Sequence, residues 1–214
     1  MPAERHSLFA LGLAALALCA TLLSIFFADR PISAYAFSHT HDMRAAFALP
    51  TRLVDVIEVF ASLGLVWSFV RAFRNTAFGG SGEIVLRASL ATFLAIGLKD
   101  LLKLAFGRTW PETWTCGNPS FIRDGAFDFS PFHGGVGWAS FPSGHMLVAC
   151  AACGCLWALA PRLKPLLALV PLLVAVGLIG ADYHFLSDIL AGSLLGWATG
   201  GFVAKLEVPV AKPA

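Results

Sequence analysis

Three residues stand at spacings that can do chemistry. His184 and Asp188 are four apart in Asp182-Tyr183-His184-Phe185-Leu186-Ser187-Asp188, so on a helical turn they share a face. A carboxylate there accepts a proton from one imidazole nitrogen, fixes the tautomer, and leaves the other nitrogen as a nucleophile or base. Taken alone, the pair reads equally well as a hydrogen bond that settles a helix junction. The third residue, His145, closes Phe141-Pro142-Ser143-Gly144-His145 at the head of an apolar run. Pro142 and Ser143 mark a helix start with Ser143 as N-cap. The amides of Gly144 and His145 are then unpaired donors, and with the helix dipole they form a ready anion site. The plainer alternative is a capped helix with an interfacial histidine.

Cations for such an anion gather nearby in sequence: Lys99, Lys103 and Arg108, with Asp100 among them. Lys99 and Lys103 are one helical turn apart. A cation within a membrane helix costs about 2.5–3.5 kcal/mol on insertion scales, which makes it a functional candidate unless it snorkels to the surface. Asp55 and Glu58 are candidates to neutralise Lys99. His39-Thr40-His41-Asp42 carries metal-ligand residue types, but nothing else supports a metal, and a solvated polar loop is the favoured reading. Cys150, Cys153, Cys155 and Cys19 lie in apolar runs and are expected to pack as small buried hydrophobes. Cys116 stands apart in a polar loop, and its redox state is not legible in sequence.

The elements that position these residues are apolar. Of 214 residues, 57% are hydrophobic and 13% charged, and the mean hydropathy is +0.75. A soluble domain carries roughly a quarter charged residues, so the expected solvent is lipid. A net charge of +2 without a basic run is too small to suggest a nucleic-acid partner. Stretches near 8–28, 53–73, 86–106, 143–160, 166–181 and 185–205 are each about the length that crosses a bilayer. The first of these is read as a span rather than a cleaved leader, because its apolar core is long and further spans follow. The expected fold is an all-α, six-transmembrane-helix bundle in one domain over 1–214, with its motif-bearing core at about 86–200. Placing both termini in the cytoplasm puts Arg5, Arg71, Arg74, Arg87, Arg162, Lys164, Lys205 and Lys212 inside, as the positive-inside rule favours. The segment 107–142 is then an outer loop, whose Gly, Pro and aromatic content suggests an ordered lid near the lipid interface. In this topology the polar clusters around His145, His184 and Lys103 fall at one membrane level.

In order along the chain, Lys103 to Pro111, Pro142-Ser143-Gly144-His145 and His184-x3-Asp188 resemble the three-part signature of the type 2 phosphatidic acid phosphatase family. That family shares its phosphate site with vanadium-dependent haloperoxidases. The signature reads K-x6-R-P, P-S-G-H and S-R-x5-H-x3-D, and the resemblance covers roughly residues 86–200. Two positions depart from it. Trp110 stands where the first motif has arginine, with Arg108 two residues earlier, and Gly177-Leu178 replaces the Ser-Arg of the third motif. Both family arginines are absent, although a phosphoryl group requires cationic partners in the transition state.

The resemblance implies a mechanism without metal or cofactor. His184 is the nucleophile that becomes a phosphohistidine, Asp188 orients it, and His145 protonates the leaving oxygen and then activates water. Lys103, Arg108, Ser143 and Gly144 hold the phosphoryl oxygens, with Arg108 expected to be the principal cation in place of the missing arginines and Arg123 a further source. The implied function is hydrolysis of a lipid phosphomonoester or diphosphate at the extracytoplasmic face of a bacterial inner membrane. The bilayer and the lipid phosphate are the only partners implied. Phosphatidate, phosphatidylglycerol phosphate, a polyprenyl diphosphate and a lipid A phosphate all remain open as substrates. A lipid phosphotransferase would use the same residues, and a catalytically silent lipid-binding or transport protein would explain the lost arginines. A haloperoxidase is disfavoured because those enzymes are soluble, and a serine protease because Ser143 lacks the G-x-S-G setting.

Overall fold

The computed structural model describes residues 2–74, 79–114 and 117–207, with side chains from residue 11 onward. Cys116 and Lys212 lie outside the described residues, as does the Arg5 side chain. The described chain is all helical apart from isolated bridges in the long loop. Helix α1 (Pro2–Leu23) runs through one wide turn (Ser24–Ala28) into α2 (Asp29–Thr40). A short α3 (Arg44–Ala48) leads to α4 (Leu53–Phe73). Then come α5 (Gly80–Phe106), the one-turn α6 (Phe121–Asp124), α7 (Gly144–Leu159), α8 (Lys164–Gly180) and α9 (Leu186–Val203).

A helix covers each of the six apolar stretches of the sequence, with ends shifted by a few residues. The shifts are largest for α1 and α5, which start at Pro2 rather than 8 and at Gly80 rather than 86. Among the described residues, three helical runs are long and apolar enough to cross a membrane: Leu11–Phe73, Pro161–Gly180 and Leu186–Val203; Gly144–Leu159 is a shorter apolar helix. The most apolar window of the first run is only 11% buried, so its large hydrophobic side chains face outward, where water would not hold them.

The core lies between α7 and α9, and small residues set its dimensions. A Cβ placed on Gly196 would lie 2.5 Å from the Leu147 carbonyl oxygen and 2.6 Å from Cys150 Cβ, and one on Gly200 would lie 2.2 Å from the Ala151 carbonyl oxygen. Glycine at these positions lets the two backbones touch, which is how helices gain packing contact where lipid supplies no hydrophobic drive. Cys150, Cys153 and Cys155 are buried on α7, as their apolar setting suggests. Cys19 differs: it lies on the exposed side of α1, where only lipid-like surroundings suit it.

Helix α5 ends at Gly107, whose φ of +57° closes the helix in the left-handed conformation. The loop beyond doubles back on its own start. Ser130 N donates to the Gly107 carbonyl at 2.7 Å, Thr109 N to Asp128 at 3.1 Å and Ser140 N to Arg108 at 3.1 Å. Phe121 N donates to Trp110 at 2.9 Å, and Ser120 caps α6. The loop is ordered by backbone pairing as well as by its aromatics.

The α7–α9 seam gives a direct test. Gly196→Val should destabilise the protein by roughly 1–3 kcal/mol through overpacking, read as a lower midpoint of thermal unfolding in detergent. An unchanged midpoint would show that the seam does not hold the helices at this distance.

Candidate active site

The N-termini of α7 and α9 bring the two histidines together. Ser143 is the N-cap of α7, as its sequence suggests, and its Oγ accepts from Met146 N at 3.5 Å. Its own amide donates to the Asp188 carbonyl at 3.0 Å, tying the start of α7 to the first turn of α9. His145 follows in the first turn of α7, half-buried, whereas His184 sits just before α9 with 5% exposure. Their ring centroids are 6.5 Å apart, inclined at 69°.

His184 is held from two sides. Its Nδ1 lies 3.4 Å from Asp188 Oδ2, a long contact on the same helical turn. Its ring lies 5.1 Å from the Trp110 ring. Trp110 is itself fixed, with 4% exposure and its indole N–H donating to the Val136 carbonyl at 2.7 Å. Burial holds the His184 imidazole below the ordinary histidine range, against the opposing pull of Asp188. The ring is therefore neutral near pH 7.

Lys103 reaches the same place from α5. Its Nζ lies 5.5 Å from the Trp110 ring centre, within cation–π range. Its Cε and Nζ pass 3.7 Å from where a Gly144 Cβ would be. Lys103, Gly144, His145 and His184 thus lie together at the head of α7.

Arg108 does not join them, and the expectation that it meets phosphate directly is corrected. Its guanidinium is fully buried. Nη1 donates to Asp188 Oδ1 at 2.5 Å and to Ser187 Oγ at 2.6 Å, while Nη2 donates to Asp29 Oδ2 at 2.8 Å. The rings of Phe185, Phe129 and Phe127 lie over it at 4.3, 4.8 and 4.9 Å. The tight turn at Gly107 sends the residue after it under the loop instead of along the Lys103 face. Arg108 holds Asp188, and Asp188 holds His184. The other Asp188 oxygen accepts from Ser140 Oγ at 2.6 Å and from Phe185 N at 3.0 Å.

Arg123 and the expected partners of Lys99 also lie elsewhere. Arg123 is exposed on α6 and bonds Asp124 and the Gly117 and Asn118 carbonyls. Asp55 is exposed on α4, and among the described residues neither it nor Glu58 forms an ion pair with Lys99. His39 stacks on Tyr35, and His41 lies 3.6 Å from Glu112. Among the described residues no cluster of three or more His, Cys, Asp and Glu side chains suits a metal. Leu178 is fully buried in the core, so that position offers no group to a phosphate.

The match to the PAP2 superfamily's sequence model spans residues 84–209 of the chain. The chain belongs to the PAP2 superfamily. It is also similar to the lipid A 1-phosphatase of Rhizobium etli, 31% identical over 99 residues, covering 46% of this chain and 40% of that protein. The lipid A 1-phosphatase of Rhizobium johnstonii is likewise 31% identical over 99 residues, covering 46% and 38%. The aligned part is thus about two fifths of the curated relatives' length. No solved structure matches.

Within this PAP2 member, sequence reasoning missed Asp29, Ser140 and Ser187, which complete the cage around Arg108 and Asp188. Asp29 Oδ1 accepts from the Ser187 amide at 2.8 Å and from Ser24 Oγ at 3.2 Å. Nothing in the sequence separates Asp29 from the solvent-facing Asp42 or Asp128. Asp182 lies close by but outside the opening. It adopts φ +52° in the turn between α8 and α9, and its Oδ1 accepts from Ser33 at 2.9 Å. Burial pushes its carboxyl up to about 7.

Because Arg108 neutralises two buried carboxylates, its removal strands both. Arg108→Ala should cost about 3–5 kcal/mol of stability, and Arg108→Lys should recover only part, since one ammonium lacks the fork that bridges two carboxylates. Thermal unfolding in detergent measures this. An Arg108→Ala protein as stable as the parent, but inactive, would return Arg108 to the phosphate.

Proposed function

We propose that the chain is an integral membrane lipid phosphatase, with six membrane-crossing helices, both termini cytoplasmic, and the His145–His184 opening on the extracytoplasmic side of a bacterial inner membrane. The observation that carries this reading is the 6.5 Å pairing of the two imidazoles beside the start of α7 and Lys103. A phosphoryl group seated between the rings meets a nucleophile on one side and a proton donor on the other.

In this mechanism His184 Nε2 attacks phosphorus while Nδ1–H faces Asp188. The bond to the lipid oxygen breaks, and His145 gives that oxygen its proton. His145, now neutral, takes a proton from water, whose oxygen attacks the phosphohistidine. Phosphate leaves and His184 is free again. Lys103, the Ser143 hydroxyl and the Gly144 amide hold the phosphoryl oxygens as charge builds on them. Arg108 acts through Asp188. Held by the Arg108 guanidinium, that carboxylate fixes the His184 tautomer.

Similarity to two lipid A 1-phosphatases favours a lipid A phosphate among the substrates left open by the sequence. Hydrolysis is preferred over transfer to a second lipid on the same ground.

The test is phosphate release by the purified chain in detergent, with EDTA present, from lipid A, phosphatidate, phosphatidylglycerol phosphate and a polyprenyl diphosphate. Release from lipid A is expected to be fastest, and His184→Ala should abolish it. Asp188→Asn should leave a small residue of activity. Since burial lowers the His184 pKa, the nucleophile stays unprotonated to lower pH. The acid limb of kcat/KM should therefore fall below about 6.5, the value of an unperturbed histidine. Near-normal release by His184→Ala, or an acid limb above that value, would contradict the assignment.

A further inference from the structure

We infer that Lys99 is the second cation of the phosphate site, replacing an arginine with a lysine one helical turn behind Lys103. This rests on the phosphatase reading above. Lys99 and Lys103 lie on the same face of α5, and both side chains cross the first residue of α7. A Cβ on Gly144 would lie 2.9 Å from Lys99 Cδ, and 3.7 Å from Lys103 Cε and Nζ. The Lys99 ammonium is two bonds beyond that Cδ, so the stem has already climbed from its deeper position to the head of α7. Gly144 is what leaves it room.

Charge accounting points the same way. Arg108 is consumed by Asp29 and Asp188, Arg44 by Glu112 and Arg123 by Asp124. Trp110 and Leu178 carry no charge. Among the described residues neither Lys99 nor Lys103 forms an ion pair with a carboxylate. Unpaired cations on a helix of this kind are costly unless an anion comes to them. Two of them converge on the free amides at the start of α7, beside His145. That is a site for a multiply charged oxyanion, with a second cation where one lysine alone would leave charge uncompensated.

The test titrates orthovanadate calorimetrically into the full chain in detergent, alongside phosphate release across pH. Variants are Lys99→Ala, Lys99→Gln, Lys99→Arg and Lys103→Ala, with size-exclusion profiles and thermal unfolding as folding controls. Lys99→Gln keeps the stem against Gly144 should truncation disturb packing there. Loss of Lys99 charge should weaken vanadate binding and kcat/KM together by about 10- to 100-fold, the range for a hydrogen bond to a charged group. Lys99→Arg should restore most of both. If Lys99→Gln binds vanadate like the parent while Lys103→Ala does not, Lys99 only snorkels and the inference is wrong, with the phosphatase reading intact. If the parent neither binds vanadate nor releases phosphate, the phosphatase reading itself falls and takes this assignment with it.

Discussion

The Arg108 guanidinium, closed inside the protein between Asp29 and Asp188, is the interaction on which the rest of the site depends. A buried charge is tolerable only when paired and hydrogen-bonded. Here three aromatic faces, two carboxylates and a serine surround it. The clamp joins three parts of the chain: the junction of α1 and α2, the start of the long loop, and the first turn of α9. It also divides the Asp188 carboxylate. One oxygen is committed to Arg108, which leaves the other to Ser140, the Phe185 amide and His184. Truncating Arg108 would thus disturb stability and the orientation of His184 together, and the two are best separated by measuring both.

The second constraint is the glycine seam between α7 and α9. Contact of the two backbones at Gly196 and Gly200 sets the distance between helices whose N-termini carry His145 and His184. The Ser143 amide bonded to the Asp188 carbonyl fixes the register at the top of that seam. The 6.5 Å between imidazoles is therefore a property of helix packing, whereas the orientation of His184 is a property of the clamp and of Trp110.

How much of this is legible in sequence follows from whether the controlling contact is local. The apolar stretches become helices because their hydropathy and length leave little alternative. Ser143 caps α7, and His184 pairs with Asp188, because both relations span a single helical turn. The fate of Arg108 is not legible. Its partners are Asp29 and Asp188, 79 and 80 residues away, and its side is decided by the left-handed turn at Gly107 and the pairing of 107–110 with 120–140. Read along the helix, Arg108 lies about one turn beyond Lys103; with the turn at Gly107 included, it enters the protein. Lys99 was visible as a membrane cation, but its partner was misjudged, because Asp55 and Glu58 lie on a neighbouring helix whose rotation the sequence does not give.

The central claim is that His184 carries the phosphoryl group. Rapid quenching of the chain during turnover of a lipid labelled with ³²P at the phosphate, followed by peptide mapping, tests it most directly. The account predicts an acid-labile, base-stable label on the peptide containing His184, enriched in His145→Ala, where the water that clears it lacks its base. Turnover with no label at His184, or with the label on another residue, would contradict it.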